Sequence, residues 1–94
     1  MPHTLIHITV EDYAKWRPVF DEIGALRQKY GGQGGHVFRK AEAPNEIMVL
    51  MEWKDMEQAR QYAASDELRA AMQRAGVQGR PTIHYLNEAE AAAV

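Results

Sequence analysis

The chain has 94 residues, a net charge of −2 and no cysteine, and 46% of its residues are hydrophobic and 26% charged. This length makes one domain, residues 1–94, which buries only about 60–65% of the surface of its unfolded chain, so a lone subunit is expected to be marginally stable. The absence of cysteine excludes disulfides and thiolate chemistry, and the mixing of acidic and basic residues argues against nucleic acid as the main partner. The longest apolar run, residues 47–51, is too short to span a membrane, and no signal-like pattern is seen at the N-terminus, so the cytoplasm is expected.

The first predicted elements are a strand and a helix. Residues 4–10 alternate between apolar and polar side chains, which is typical of a strand with one buried face. Asp12 can cap the helix that follows, and apolar residues at spacings of three and four extend this helix to about Lys29. Pro18 cannot donate a hydrogen bond to the carbonyl of Ala14, so we expect a loose first turn and a regular helix from about Pro18.

A glycine-rich segment, residues 31–35, ends this helix. Its context differs from that of a phosphate-binding loop, so it is interpreted as a helix C-cap and connector, with a flexible lid as the alternative. Residues 36–42 and 46–53 then form two strands of an antiparallel hairpin, because the Pro-Asn pair between them suits a tight turn.

A second helical stretch begins at the capping residue Asp55 and is expected to break near residues 64–65 before it ends at Gly76. Residues 81–87 form the last predicted strand. The alanine- and glutamate-rich tail, residues 88–94, has too little apolar pattern to be assigned and is expected to be disordered.

The predicted order is that of an α+β, ferredoxin-like βαββαβ fold, a four-stranded antiparallel sheet with both helices on one face. The opposite face carries leucine, phenylalanine, methionine and histidine side chains, which are too apolar to remain in water. A second copy related by a two-fold axis is the simplest cover, so a homodimer is expected.

Candidate functional residues lie on this uncovered face. Alternation places His7, Glu52 and His84 there, surrounded by apolar residues, which is typical of a small-molecule site. Each histidine has the alternative of a surface role, and Glu52 that of a structural ion pair. The second strand remains ambiguous. The other expected members are Leu5, Met48, Leu50 and Leu86, with either His36, Phe38 and Lys40 or Val37, Arg39 and Ala41.

Several short motifs together resemble the antibiotic biosynthesis monooxygenase-like group of the dimeric α+β barrel superfamily. The resemblance extends over roughly residues 5–88. It rests on Val10-Glu11-Asp12-Tyr13 with Trp16 and Phe20-Asp21, on Pro44-Asn45-Glu46, and on Glu52-Trp53 with Asp55, Ala59 and Ser65.

The resemblance implies a dimeric barrel in which each subunit has a cavity between its sheet and its helices, where Trp16, Phe20 and Tyr62 could reach a ligand. Many relatives have a histidine at the position of Tyr62. Because tyrosine does not titrate near neutral pH, a mechanism that uses that histidine as a base does not carry over. Neither predicted helix contains a histidine, which argues against the haem-degrading branch.

The leading hypothesis is a cofactor-independent monooxygenase or polyketide cyclase that acts on a phenolic or polyketide-type compound. His84, or else His7, would be the base, Glu52 would orient the histidine, and Arg39 or a histidinium would stabilise the developing anion. Leu50, Leu86 and the side chains of either His36 and Phe38 or Arg39 would contact the ligand. The alternative is a non-catalytic ligand-binding or stress-related dimer. No metal, haem or flavin is expected, because the sequence has no close-spaced ligand motif and no dinucleotide fingerprint.

Overall fold

The computed structural model describes residues 1–93. The predicted order of elements is confirmed. The second helical stretch is divided into two helices as expected, and the first is divided as well, which was not expected. None of the helices in residues 1–93 has both the length and the apolar character needed to cross a membrane. The elements are β1 (Pro2–Val10), α1 (Tyr13–Glu22), α2 (Gly24–Lys29), β2 (Gly32–Arg39), β3 (Glu46–Trp53), α3 (Met56–Ala63), α4 (Asp66–Arg74) and β4 (Val77–Asn87).

The four strands form one antiparallel sheet in the order β2-β3-β1-β4. Strand β1 is central and pairs with β3 on one side and β4 on the other, while β2 pairs with β3 at an edge. The first and last strands of the chain therefore lie side by side, which is the ferredoxin-like arrangement. The predicted fold class is confirmed.

The core lies between one face of this sheet and the helices. Residues alternate between buried and partly exposed along β1 and β3, so each strand presents every second side chain to the core. The faces predicted for these two strands are confirmed. The buried strand residues are Thr4, Ile6, Ile8 and Val10 in β1 and Ile47, Val49, Met51 and Trp53 in β3.

Helices α1, α3 and α4 begin where the sequence places a capping side chain, and the expected break between α3 and α4 is confirmed. In each case a side-chain oxygen accepts a hydrogen bond from a backbone N–H group that has no partner within the helix. The bonds join Asp12 Oδ1 to the Ala14 N–H (3.0 Å), Asp55 Oδ1 to the Gln58 N–H (2.8 Å) and Ser65 Oγ to the Leu68 N–H (3.2 Å).

The prediction of a loose turn before Pro18 was wrong. Helix α1 is continuous from Tyr13 past Pro18, and the interruption comes at Ile23, where α1 ends and α2 follows. Pro18 and Ala14 both lie on the exposed side of the helix. Water can therefore hydrate the Ala14 carbonyl, whose hydrogen bond the proline removes.

The glycine-rich segment is not only a connector. Gly31, with φ of +85°, ends α2 as predicted, but β2 begins directly at Gly32 and contains a β-bulge. At Gly35 an added Cβ atom would collide with the carbonyl oxygen of Leu50 on the neighbouring strand, so no larger residue fits there. Strand β4 also begins earlier than predicted, at Val77.

A buried hydrogen bond ties β1 to the end of β3. The Trp53 indole N–H donates to Thr4 Oγ1 at 2.9 Å, and the two side chains are 0% and 1% exposed. Thr4→Val should lower the free energy of unfolding by about 1–3 kcal/mol, because it leaves the indole N–H buried without a partner. Urea unfolding followed by circular dichroism measures this change. Thr9→Val, on the exposed side of the same strand, is the control and should change stability by less than about 0.5 kcal/mol.

Candidate functional site

A small apolar space, here called the inner cavity, lies between the helix-facing side of the sheet and the helices. Its volume is about 40 Å³, enough for a few water molecules. Among its lining residues, only Arg27 and Tyr62 carry a charge or a hydroxyl group. The other lining residues are Ile6, Ile8, Trp16, Val19, Phe20, Ile23, Val49, Met51, Leu68, Ala71, Met72 and Ala75.

Three aromatic side chains that the family resemblance assigns to ligand contact meet at this cavity. Trp16 and Phe20 lie one turn apart on α1, and their rings stack with centroids 4.8 Å apart. Tyr62 reaches the same cavity from α3, where its ring packs against Trp53 with a centroid distance of 5.0 Å. The cavity thus offers flat apolar surfaces and one phenolic hydroxyl.

The Tyr62 hydroxyl is a hydrogen-bond donor at neutral pH. The residue is 4% exposed, and this burial raises the pKa of the Tyr62 phenol. The neighbouring Arg27 guanidinium, first as a hydrogen-bond donor and then as a charge, opposes this rise but does not cancel it. A phenol with a raised pKa keeps its proton. Tyr62 therefore offers a proton in a hydrogen bond and is not a base near neutral pH.

Arg27 is the polar residue of the cavity that the sequence reasoning missed. It is 9% exposed, its Nη2 donates to the carbonyl oxygen of Phe20 at 2.8 Å, and its guanidinium carbon lies 3.8 Å from the centroid of the Phe20 ring. Its Nη1 is buried and has no hydrogen-bond partner within residues 1–93. The sequence does contain a sign that Arg27 faces the core: position 27 continues the spacing of Trp16, Phe20 and Ile23 along the apolar stripe of the helix.

A second space, here called the outer groove, lies beside the inner cavity and has a volume of about 320 Å³. Phe20, Arg27 and Met51 line both spaces and therefore lie between them. Gly34 and Gly35 of β2 form part of the groove, where the absence of side chains leaves room. Arg27 is thus one of the residues that separate the inner cavity from the open outer groove.

The opposite side of the sheet, here called the outer face, carries the other predicted residues. The register settles the ambiguity of β2: His36 and Phe38 lie on the outer face, and Val37 and Arg39 lie on the helix-facing side. Because directly paired residues share a face, the outer face has three rows with residues from all four strands, and a shorter fourth row of Glu46, Thr9 and Gln78. The three longer rows are His36–Leu50–Leu5–His84, Phe38–Met48–His7–Thr82 and Gly34–Glu52–His3–Leu86.

The predicted catalytic residues share this face but do not form the predicted hydrogen-bonded pair. His7 Nε2 lies 3.0 Å from Glu46 Oε1, and the Glu52 carboxylate lies 3.8 Å from Nε2 of His3. The expectation that Glu52 orients His84 was wrong, since β1 separates their strands and Glu52 faces His3 instead. His84 is exposed and makes no side-chain hydrogen bond or ion pair within residues 1–93.

A shallow depression of about 320 Å³ on the outer face brings His3, His36, Leu50 and Glu52 together. His3 thus lies beside three of the predicted residues. Within the described part of the chain, no group of three or more histidine, aspartate or glutamate side chains is arranged to hold a metal ion.

Arg39 lies apart from both the inner cavity and the outer face. Its Nε donates to the Pro44 carbonyl oxygen at 2.8 Å, and its guanidinium carbon lies 4.1 Å from the centroid of the Tyr13 ring. These contacts hold the hairpin turn against the start of α1. Within one subunit Arg39 is therefore not placed to stabilise an anion formed beside His84.

The family model for antibiotic biosynthesis monooxygenase matches residues 3–74. The chain belongs to the antibiotic biosynthesis monooxygenase family. The resemblance inferred from the sequence is thus confirmed, and the matched segment contains every residue discussed above for the inner cavity except Ala75. No curated protein matches the sequence.

Solved structures of other proteins share the fold of this antibiotic biosynthesis monooxygenase domain. A Bordetella bronchiseptica protein provisionally named an antibiotic biosynthesis monooxygenase has a TM-score of 0.79 and 15% identity, with 95% of this chain and 97% of that chain covered. SnoaB from Streptomyces nogalater, described as a cofactor-independent oxygenase, has a TM-score of 0.74 and 16% identity, with 96% and 94% covered. A Caulobacter crescentus protein, also provisionally named an antibiotic biosynthesis monooxygenase, has a TM-score of 0.74 and 20% identity, with 95% and 90% covered.

Proposed function

We propose that the protein is a cofactor-independent oxygenase that binds a phenolic or polyketide-type aromatic compound in the inner cavity. The observation that carries this proposal is the meeting of Trp16, Phe20 and Tyr62 around an apolar space between the sheet and the helices. Flat rings favour an aromatic ligand, and the Tyr62 hydroxyl can donate a hydrogen bond to its oxygen. Membership of the family and the fold shared with SnoaB support the reaction class.

In such a reaction the substrate itself supplies the electrons. The ionised, electron-rich ring reacts with O₂, one oxygen atom forms a new carbonyl group on the ring, and the other leaves as water with two hydrogens from the substrate. The protein excludes water from the ring and fixes the orientation of the substrate oxygen, a role suited to the Tyr62 hydroxyl. A cyclase would need the same parts, with an enolate in place of the phenolate.

The outer-face residues His7, Glu52 and His84 remain candidates for proton transfer under one condition. The sheet separates them from the inner cavity of their own subunit, so they can act only on a molecule held at the outer face.

We propose instead that the outer face is covered by a second copy of the chain. Phe38 and Leu86, 52% and 40% exposed, lie at diagonally opposite corners of it, so exposed apolar surface reaches both edges of the sheet. The cytoplasm remains the proposed location.

One observation favours a second candidate function, binding without catalysis. No carboxylate or histidine is among the residues that line the inner cavity, so the cavity lacks a side chain that takes up protons at neutral pH. A ligand could then be held without being converted. Mass spectrometry of the ligand that co-purifies with the protein would identify its chemical class.

Oxygen uptake with anthrone tests the proposed oxygenase. The central CH₂ group of anthrone should become a carbonyl, with one O₂ consumed and one water formed, and the protein should accelerate uptake above the rate in buffer. Added catalase distinguishes this reaction from autoxidation, because it returns oxygen only where hydrogen peroxide is formed.

His84→Ala should leave the rate of oxygen uptake within about twofold of the wild-type rate. A loss of roughly 10²–10⁴-fold would place the base, and the reaction, at the outer face. If the protein does not accelerate oxygen uptake, and if a co-purified ligand is not converted, the alternative function of binding without catalysis would be favoured.

A further inference from the structure

We propose that Arg27 recognises an anionic oxygen on the aromatic ligand, so that the protein selects aromatic carboxylates or ionised phenols over neutral analogues. This inference rests on the proposed binding site in the inner cavity. To the proposed function it adds that the ligand is an anion and that Arg27 binds the anionic group.

The unpartnered Nη1 of Arg27 is the first argument. Buried polar groups nearly always have a hydrogen-bond partner, and an unpaired charged donor is more costly than a neutral one. Arg27 is more than nine-tenths buried, and none of the ion pairs within residues 1–93 includes it. An oxyanion bound at Nη1 would satisfy this donor with a charge-assisted hydrogen bond.

The structural role of Arg27 does not require Nη1. Its Nη2 donates to the Phe20 carbonyl at the end of α1, where a cation also interacts favourably with the helix dipole. The face of its guanidinium group covers the Phe20 ring. Both contacts hold α2 against α1 without using Nη1, and the neighbour of the guanidinium in the cavity is the Tyr62 hydroxyl, whose pKa Arg27 lowers as a donor and as a charge.

The donors and acceptors of the cavity fit an anion. Arg27 supplies donors only, and Tyr62, which adjoins it, keeps its proton at neutral pH. No lining side chain is a carboxylate that could neutralise the arginine. A carboxylate or a phenolate, which only accepts hydrogen bonds, complements this pair, whereas an amide or an ester brings no charge to it.

The position of Arg27 suits a ligand with a charged end and an apolar ring. Arg27 lines both the inner cavity and the outer groove. An oxyanion that enters from the outer groove gives up part of its hydration, and the charge-assisted hydrogen bond from Nη1 compensates for this loss. The ring would lie on the apolar side, against Trp16 and Phe20, and its entry requires these side chains to move apart, because the space of about 40 Å³ holds only a few water molecules.

Matched naphthyl probes test the proposal in the intact protein. The dissociation constants of 2-naphthoate and its neutral analogue 2-naphthamide are measured by Trp fluorescence and calorimetry for the wild type and for Arg27→Gln, Arg27→Lys and Lys29→Gln. The wild type should bind the carboxylate roughly 10- to 100-fold more tightly than the amide, the usual range for one charge-assisted hydrogen bond. Arg27→Gln should abolish this preference, and Arg27→Lys should retain part of it.

Lys29→Gln is the matched control, since it removes the same charge from an exposed position of the same helix, and it should keep the preference. Circular dichroism shows whether each variant is folded, and Arg27→Lys provides the test if Arg27→Gln is not. For the phenol, 2-naphthol should bind with a lowered pKa, seen as absorbance of its ionised form, and Arg27→Gln should restore the pKa. A shift without carboxylate preference would limit the site to phenolates.

Two outcomes overturn the inference, and they are distinguishable. If 2-naphthoate and 2-naphthamide bind the wild type equally and the pKa of 2-naphthol is unchanged, Nη1 does not select an anionic ligand. The proposed binding site in the inner cavity would not be contradicted by that result. If none of the naphthyl probes binds, or if they bind with no perturbation of Trp16 in NMR spectra, the proposed cavity itself is wrong.

Discussion

Replacing Ala71 with leucine should weaken the binding of an aromatic ligand roughly 100-fold. Ala71 lies on α4, is 2% exposed and lines the inner cavity. A larger side chain there occupies the space that the ligand ring needs, and apolar pockets discriminate by roughly 10–200-fold for changes as small as one methylene group. The Kd of 2-naphthol measured by calorimetry reports the effect.

The control for this prediction is Ala70→Leu, which adds the same side chain at the neighbouring, exposed position of α4. It should leave the Kd unchanged. Overpacking typically costs about 1–3 kcal/mol of stability, so thermal unfolding of both variants shows whether the protein remains folded. Unchanged binding in a folded Ala71→Leu variant would exclude the inner cavity and direct attention to the depression around His36 and Glu52.

The double substitution Phe38→Glu with Leu86→Glu should convert the proposed dimer into a monomer. Both residues lie on the outer face, and a two-fold interface repeats each change in the partner subunit. Four carboxylates would then have to lose their hydration without partners, which is far more costly than the apolar contacts they replace. We expect the dimer Kd to rise by roughly 100-fold or more.

Light scattering after gel filtration measures this change as a shift from twice 10.7 kDa to 10.7 kDa. The control, Ala70→Glu, introduces the same charge on an exposed helix position outside the outer face and should remain a dimer. A wild-type protein that is already monomeric at micromolar concentration would remove the basis for an interface at this face.

The sequence predicted those parts of the fold that depend on local patterns. Alternation in β1 and β3 identified the buried face correctly, because each strand pairs along its whole length with a strand of the same sheet. Asp12, Asp55 and Ser65 marked helix starts correctly because each caps N–H groups only two or three residues away.

Features that depend on tertiary contacts were less predictable. The extension of β2 to Gly32 has no hydrophobic pattern, since the glycines that form it contribute no side chains, and it depends on pairing with β3. Three contacts could not be predicted, because only the assembled fold brings their residues together. They place Arg39 against Tyr13, Glu52 beside His3, and Arg27 between α1 and the cavity. A charged residue in the apolar stripe of a helix is the one local sign that would have indicated Arg27.

The sheet is a single layer, so neighbouring residues of one strand belong to different surfaces. In β1, Ile6 faces the inner cavity while Leu5 and His7 face outward, and in β3, Val49 and Leu50 divide in the same way. If the inner cavity binds the ligand and the outer face binds a second copy, as proposed, substitutions at even positions of β1 can change ligand preference and substitutions at odd positions can change self-association, each without affecting the other. An insertion of one residue within β1 would exchange the two sets at once, so relatives should tolerate substitutions in these strands far better than insertions or deletions.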